Sequence, residues 1–225
     1  MDGILIVDKP SGMTSHDVVD LIRKNFGMRK TGHAGTLDPT VTGVLIILIG
    51  RATKLSARFA NDDKEYEATL TLGKKTDSGD AEGRVISEGD YNKTTEARIR
   101  DIFDSFKGEI EQVPPMVSAL KFRGKRLYEL ARRGQEAPRK PRVVYIKELK
   151  IKNIDIPYID FSVVCSKGTY IRKLCDDIGD RLGCGGHLSY LRRLRSGEFT
   201  LEKSVTIEVL KSFSKDELER HLLKI

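Results

Sequence analysis

The sequence contains no tryptophan, and aromatic residues make up only 7% of its 225 positions. A broad aromatic platform for stacking many bases is therefore not expected. Cysteine occurs three times, as Cys165, Cys175 and Cys184, at spacings of ten and nine residues. That pattern fits neither a disulfide framework nor a zinc site, and a reducing cytoplasm is the expected compartment. The longest apolar run covers residues 44–49. A membrane-crossing helix needs roughly 20 such residues, so none is expected. The start, Met1-Asp2-Gly3-Ile4, shows no basic segment leading into an apolar one, and no signal peptide is expected. The glycine-rich phosphate and dinucleotide fingerprints, G-x-x-x-x-G-K-[ST] and G-x-G-x-x-G, are missing. "HAGTLD" lacks the second histidine of a zinc-protease helix, and "HLSYLRRLRS" supplies no cysteine or acid at ligand spacing. The residues thus offer no metal, nucleotide or flavin site. An enzyme built from them would work with side chains alone, without a cofactor.

What is present is an ordinary globular composition, 39% hydrophobic and 32% charged. The length allows one large domain or two small ones. The net charge of +7 is unevenly spread. Residues 121–147, "KFRGKRLYELARRGQEAPRKPRVVYIK", hold ten Lys or Arg against two Glu, which leaves the rest of the chain at −1. Charge runs are ordinarily solvated faces. Concentration in one block instead favours the footprint of a polyanion, with nucleic acid as the expected partner.

The periodicities predict an α+β fold. "GILIV" reads as a buried strand. "SGMTSHDVVDLIRKNFG" reads as a loop entering a helix, capped by Thr14 with Asp17, faced by Val18, Leu21, Ile22 and Phe26, and ended by Gly27. "GHAGTLDPTVTGVL" reads as a loop feeding a strand over residues 44–49. "EYEATLTLG" alternates as a strand, and "KKTDSGDAEG" reads as a turn-rich loop. Residues 95–106 read as a helix with Ile99, Ile102, Phe103 and Phe106 on one face. "VPPMVSALKF" starts extended, because its prolines disfavour a helix. "GKRLYELARRG" reads as a short basic helix closed by Gly134. "RVVYIKELKIKNI" and "YIDFSVVCS" form a hairpin, followed by the helix "TYIRKLCDDIGDRLG" with Ile171, Leu174, Cys175, Ile178 and Leu182 inward. "SKDELERHLLKI" has the capping box Ser214 and Glu217. Short connections between strands favour a mixed or mostly antiparallel sheet.

One acid stands out. Asp38 lies five residues after His33, among small residues and before the apolar run. Gly35 permits a sharp turn with room for a ligand, and Pro39 biases Asp38 towards extended geometry. A turn aspartate bonding its own backbone is the common alternative. A carboxylate in a partly dry site needs a cation to stay charged, and Arg172, in the first turn of its helix, is a candidate. Arg172 could equally pair with Asp176 four residues on. Tyr66 and Tyr170 could stack on a base or sit in the core with satisfied hydroxyls. His33 could touch a phosphate or bond within its turn. Lys9 could position a loop or meet a nucleic-acid backbone, against the commoner case of a solvated lysine. Leu191 reads as core.

Five blocks in chain order carry a resemblance: "DKPSGMTSHDVV", "GHAGTLDPTVTGVL", "KEYEATLTLGKKTDSGDAEG", "PPMVSALKFRGKRLYELARRG" and "CSKGTYIRKLCDDIGDRLGCGGHLSYLRRLRSG". Together, from residue 3 to about residue 208, they resemble the TruB family of tRNA pseudouridine synthases. The resemblance implies a pseudouridine synthase fold, with a mixed, mostly antiparallel central sheet, flanking helices and a cleft. It implies that Asp38 is the catalytic aspartate, Arg172 its partner and Tyr66 the ring stacked on the target uracil. Tyr170 and Leu191 would line the pocket, with His33 near the target nucleotide and Lys9 beside the substrate. The block 121–147 resembles the insertion that grips the tRNA arm, with Lys125, Arg126, Arg132 and Arg133 on the RNA backbone. The implied reaction is isomerisation of uridine 55 in the T-loop of tRNA, by a cytoplasmic monomer that needs neither cofactor nor protein partner. Residues 1–225 would be the catalytic domain. The small RNA-binding PUA domain that family members often carry is expected to be absent. An RNA-binding module that needs partner proteins or a guide RNA, and a basic ribosomal protein, are the competing readings. The basic block argues against the former and the "GHAGTLDP" loop against the latter.

Overall fold

The computed structural model describes residues 1–118 and 120–225; Ala119, within "VPPMVSALKF", lies outside the described residues. The chain divides into two compact units, Met1–Tyr66 with Leu191–Ile225, and Glu67–Tyr190. The first opens with β1 (Gly3–Lys9), α1 (Ser15–Phe26), β2 (Thr31–Ala34), β3 (Thr42–Ile49) and α2 (Ser56–Ala60). Strand β4 (Lys64–Leu72) has residues in both units. The second unit holds β5 (Lys74–Thr76), β6 (Val85–Glu88), α3 (Glu96–Ser105), β7 (Gly108–Gln112), β8 (Lys121–Phe122), β9 (Lys125–Arg126) and α4 (Leu127–Ala131). It continues with β10 (Arg142–Asp155), β11 (Tyr158–Cys165) and α5 (Ile171–Leu182). Strand β12 (Gly186–Ser196) is again shared, and the first unit ends with β13 (Phe199–Thr200), β14 (Val205–Thr206), α6 (Ile207–Ser212) and α7 (Lys215–His221).

In the first unit the strand order is β14-β1-β3-β12. Strands β1 and β3 run antiparallel from Gly3 opposite Ile49 to Lys9 opposite Gly43. Strands β14 and β12 are parallel to their neighbours β1 and β3. The apolar run of β3 is buried on both faces, as a central strand requires. Its period of two divides it cleanly. Leu45, Ile47 and Ile49 join Leu5 and Val7 against Val18, Val19, Ile22 and Phe26 of α1. Val44, Ile46 and Leu48 join Ile4, Ile6, Phe59 and Phe199 on the other side. Helix α1 starts with the expected capping box between Thr14 and Asp17 and stops at Gly27, whose φ is +71°.

In the second unit the order is β4-β11-β10-β7. The expected hairpin pairs β10 and β11 antiparallel, and β7 adds antiparallel to β10. Thr69 on β4 donates a 2.7 Å hydrogen bond to Asp160 on β11. Helix α5 buries all five residues expected on its inner face. It approaches the start of β12 so closely that a Cβ on Gly179 would lie 2.2 Å from the nitrogen of Gly186. Phe103 of α3 meets Phe161 of β11 edge to face at 5.4 Å. The pairings make the fold α+β with a mixed, mostly antiparallel sheet, as expected.

Three local expectations need correction. Residues 31–34 are strand rather than loop: Thr31 to Ala34 pair antiparallel with Ile49 to Ile46. Backbone pairing with β3 decides the conformation there, against a local pattern that reads as loop. "KKTDSGDAEG" starts with β5, which pairs with β6, so the loop is the tip of a hairpin. The basic helix is shorter than expected, because Lys125 and Arg126 pair with Phe122 and Lys121 instead of joining α4. Gly134, with φ +67°, still ends that segment.

Candidate active site

The turn that carries Asp38 belongs to the first unit and is fastened along its length. Its backbone closes with Val41 N–H donating to the Asp38 carbonyl at 3.1 Å. One residue before Asp38, Leu37 is gripped from both sides by the buried Ser15 hydroxyl. Ser15 Oγ accepts from Leu37 N–H at 2.8 Å and donates to the Leu37 carbonyl at 3.1 Å. One residue after Asp38, the Pro39 carbonyl accepts from Gly12 N–H at 2.9 Å and from Lys9 Nζ at 3.2 Å. Asp38 itself is half-buried. The backbone on both sides of the carboxylate is thereby held against the start of α1 and the end of β1.

Lys9 is a correction to the expected solvated lysine. Its side chain has 0% exposure, and Nζ also donates to the carbonyls of Pro10 at 2.9 Å and Met13 at 2.6 Å. Of the two roles weighed for it, the loop-positioning one fits, because its donors are spent on carbonyls inside the protein. Burial pulls its pKa down from 10.5 to about 8. The Asp38 charge acts against that fall, and the Arg193 charge adds to it.

Arg193 is the residue that sequence reasoning missed. It is 1% exposed, with Nε donating to the Val44 carbonyl at 2.7 Å and Nη2 to the Gly35 carbonyl at 2.9 Å. Tyr66 hydrogen-bonds its guanidinium, so the buried Tyr66 hydroxyl is satisfied. Burial lowers the Arg193 pKa, and the Tyr66 contact works the other way. Gly43 is required beside it: φ is +103°, and a Cβ would lie 2.1 Å from the Arg193 carbonyl oxygen. Strand parity was the available signal. Leu191 and Arg193 share a face of β12, and Leu191 packs against the core cluster around α1. Arg192 points the other way and pairs with Asp8 at 2.7 Å. His33 is half-buried on β2 opposite Ile47.

Arg172 and Tyr170 lie in the second unit. Arg172 is 5% exposed in the first turn of α5. It donates to the carbonyls of Ser78 at 3.0 Å and Val117 at 2.7 Å, and lies 3.4 Å from the Asp80 carboxylate. Asp80 is fixed in turn by Ser78 Oγ at 2.6 Å and Glu82 N–H at 3.1 Å. The alternative partner Asp176 pairs with Lys75 and Lys173 instead, at 3.0 and 2.7 Å. Those two lysines also reach Asp180 and Asp177. This is the one acidic trio that comes together among the described residues, and the lysines make it an ion-pair network. Tyr170 precedes α5, and the buried Gln112 brackets its backbone: Tyr170 N–H donates to Oε1 at 3.0 Å, and Nε2 donates to its carbonyl at 3.3 Å.

The basic block also lies in the second unit. Lys125, Arg126, Arg132 and Arg133 are all exposed. Beneath them Leu127, Leu130 and Ala137 form a small core with Met116, Leu120 and Phe122. The guanidinium carbons of Arg126 and Arg132 lie 5.8 and 5.5 Å from the Tyr128 ring centre, so aromatic contact helps hold both charges in place. No described helix is long and apolar enough to cross a membrane.

Comparison with known proteins shows what the whole chain is similar to. Residues 23–171 match the family described as TruB family pseudouridylate synthase (N terminal domain), and residues 172–225 match the tRNA pseudouridylate synthase B C-terminal domain. The tRNA pseudouridine synthase B of Syntrophotalea carbinolica is 48% identical over 225 residues, covering 100% of this chain and 74% of that protein. The protein of the same name from Opitutus terrae is 44% identical, covering 100% of this chain and 93% of its own length. Among solved structures, a chain of a Cbf5-Nop10-Gar1 complex superposes with a TM-score of 0.75 at 33% identity, covering 94% of this chain. A chain of an H/ACA RNP bound to a substrate RNA containing 2'-deoxyuridine gives 0.72 at 29% identity over 99% of this chain. This chain spans 54% and 56% of those two solved chains.

Proposed function

The chain belongs to the TruB family of pseudouridylate synthases, and from that premise we infer that it isomerises uridine 55 in the T-loop of tRNA to pseudouridine. The C1′–N1 bond of the nucleotide breaks and a C1′–C5 bond forms. The proton on C5 is lost and N1 gains one, so the change is redox-neutral and calls for no added group. The uracil must first leave its stack, at a cost of about a few kcal/mol. Contacts between the basic block and tRNA phosphates offset that cost. We assign Lys125, Arg126, Arg132 and Arg133 to those contacts; their exposure on a locally cored segment supports the assignment.

Asp38 is our candidate for the carboxylate that acts on the ribose. Two routes are open to it, attack on C1′ or removal of a ribose proton. The observation that carries the proposal is the fastening of its turn at Leu37 and Pro39, which holds the backbone on either side of the carboxylate. Arg172, a buried guanidinium, is proposed as its charge partner, and Tyr66 as the ring that stacks on the extruded uracil. Tyr170 and Leu191 are proposed to line the pocket, and His33 to lie near the target nucleotide. We further propose that the protein works in the cytoplasm as a monomer, without a protein partner or cofactor.

The test is a pseudouridine assay on unmodified tRNA transcript with the pure protein. Asp38→Asn is expected to abolish product while leaving tRNA binding within about twofold, the result for a group used only in the chemical step. An active Asp38→Asn protein refutes the assignment. Product that appears only after other proteins or a guide RNA are added refutes the standalone reading.

A further inference from the structure

Arg193 is a buried cation held without a counter-charge among its described partners. Among the described residues its partners are two carbonyl oxygens and a phenol, with no carboxylate. A second buried cation, Lys9, is close enough for the two charges to oppose each other. Burying a charge on such terms is costly, and an apolar side chain of similar volume would serve stability better. What the guanidinium supplies is a planar fork of donors in fixed directions. The two carbonyls it reaches flank the turn that holds Asp38: Gly35 precedes it, and Val44 lies in β3, the strand that follows it. The third partner is the hydroxyl of Tyr66 on β4.

We propose that Arg193 is a positioning residue for the reaction, tying the segments on either side of the Asp38 turn to the Tyr66 hydroxyl so that carboxylate and stacking ring are held as one piece. The proposal rests on the reading of Asp38 and Tyr66 given above. It assigns the Tyr66 hydroxyl a job separate from stacking, since the ring is the part that meets the base. It also explains the tight fit at Gly35, where φ is +73° and a Cβ would lie 3.3 Å from Arg193 Nη1. Lysine in place of Arg193 keeps the charge, but all its donors radiate from one nitrogen, as in Lys9, and cannot reproduce a fork whose Nε reaches Val44 while Nη2 reaches Gly35.

The experiment measures single-turnover rate constants and tRNA dissociation constants for Arg193→Lys, Tyr66→Phe and the double variant, with Asp38→Asn alongside. Each single variant is expected to slow the chemical step about tenfold, the scale of one hydrogen bond to a charged group, with tRNA affinity within about twofold. The double variant is expected to be no slower than the slower single, because both changes break the same link. A folded Arg193→Lys protein with the wild-type rate overturns the proposal, as does a double variant showing the product of the two losses. Should Arg193→Lys fail to fold, Tyr66→Phe decides alone: the wild-type rate overturns the proposal, and a tenfold loss at unchanged affinity supports it. An active Asp38→Asn protein would bring down the underlying reading instead, which separates the two failures.

Discussion

Replacing Lys9 with methionine gives a stability change whose pH dependence follows from the structure. The ammonium is wholly buried and bound to three carbonyls, and its pKa falls from 10.5 to about 8 because burial disfavours the charge. Below pH 8 the lysine is charged in both the folded and the unfolded chain, and the folded state bears the burial cost. Between about 8 and 10.5 the folded protein has released this proton while the unfolded chain still holds one. The unfolded state then binds more protons, so stability rises with pH in that window. From pH 7 to pH 9 the rise contributed by Lys9 is about 1.4 kcal/mol, a factor of ten in the folding equilibrium. The methionine variant lacks this contribution. At a fixed pH two effects oppose each other in the variant: the burial cost disappears, but the Pro10 and Met13 carbonyls lose their donor. The Pro39 carbonyl keeps the Gly12 N–H. Comparing the same two proteins at two pH values removes both effects. Urea unfolding of wild type and Lys9→Met at pH 7 and pH 9 should show the gap between them shifting by about 1.4 kcal/mol in favour of wild type. Equal gaps at the two pH values would refute the depressed pKa, and with it the picture of a buried charged clamp.

Two further outcomes are expected. Ser15→Ala strips the Leu37 N–H and carbonyl of their buried partner, which should cost about 2–4 kcal/mol and lower the Tm by roughly 5–12 °C. An unchanged Tm in a thermal scan would show that the Ser15 clamp does not hold the Asp38 turn. Neutralising Lys125, Arg126, Arg132 and Arg133 together should weaken tRNA binding and flatten the plot of log K against log salt by about 0.7–0.9 for each phosphate that the protein no longer neutralises. A slope equal to wild type would take the basic block off the RNA.

The sequence by itself determined the elements whose physics is local. Thr14 with Asp17, and Ser214 with Glu217, announced helix starts because a capping box is closed within four residues. Gly27 marked a helix end through its positive φ, and the β10–β11 hairpin was legible in the alternation of its strands. Asp38 stood out because small residues and a proline surround it, and the basic block because charge can simply be counted. Tertiary structure alone decided what fastens Asp38. Lys9 read as solvated because an isolated lysine is usually wet; it is dry because three carbonyls from residues 10, 13 and 39 converge on it. The edge strand β2 was hidden because its partner, β3, lies beyond a turn whose residues look like loop. Arg193 is 149 residues from Val44 and 158 from Gly35, so its role depends on a parallel pairing of β12 with β3 that no local pattern encodes. A cap or a turn is satisfied by neighbours in sequence; a buried cation is satisfied only by groups that folding brings to it.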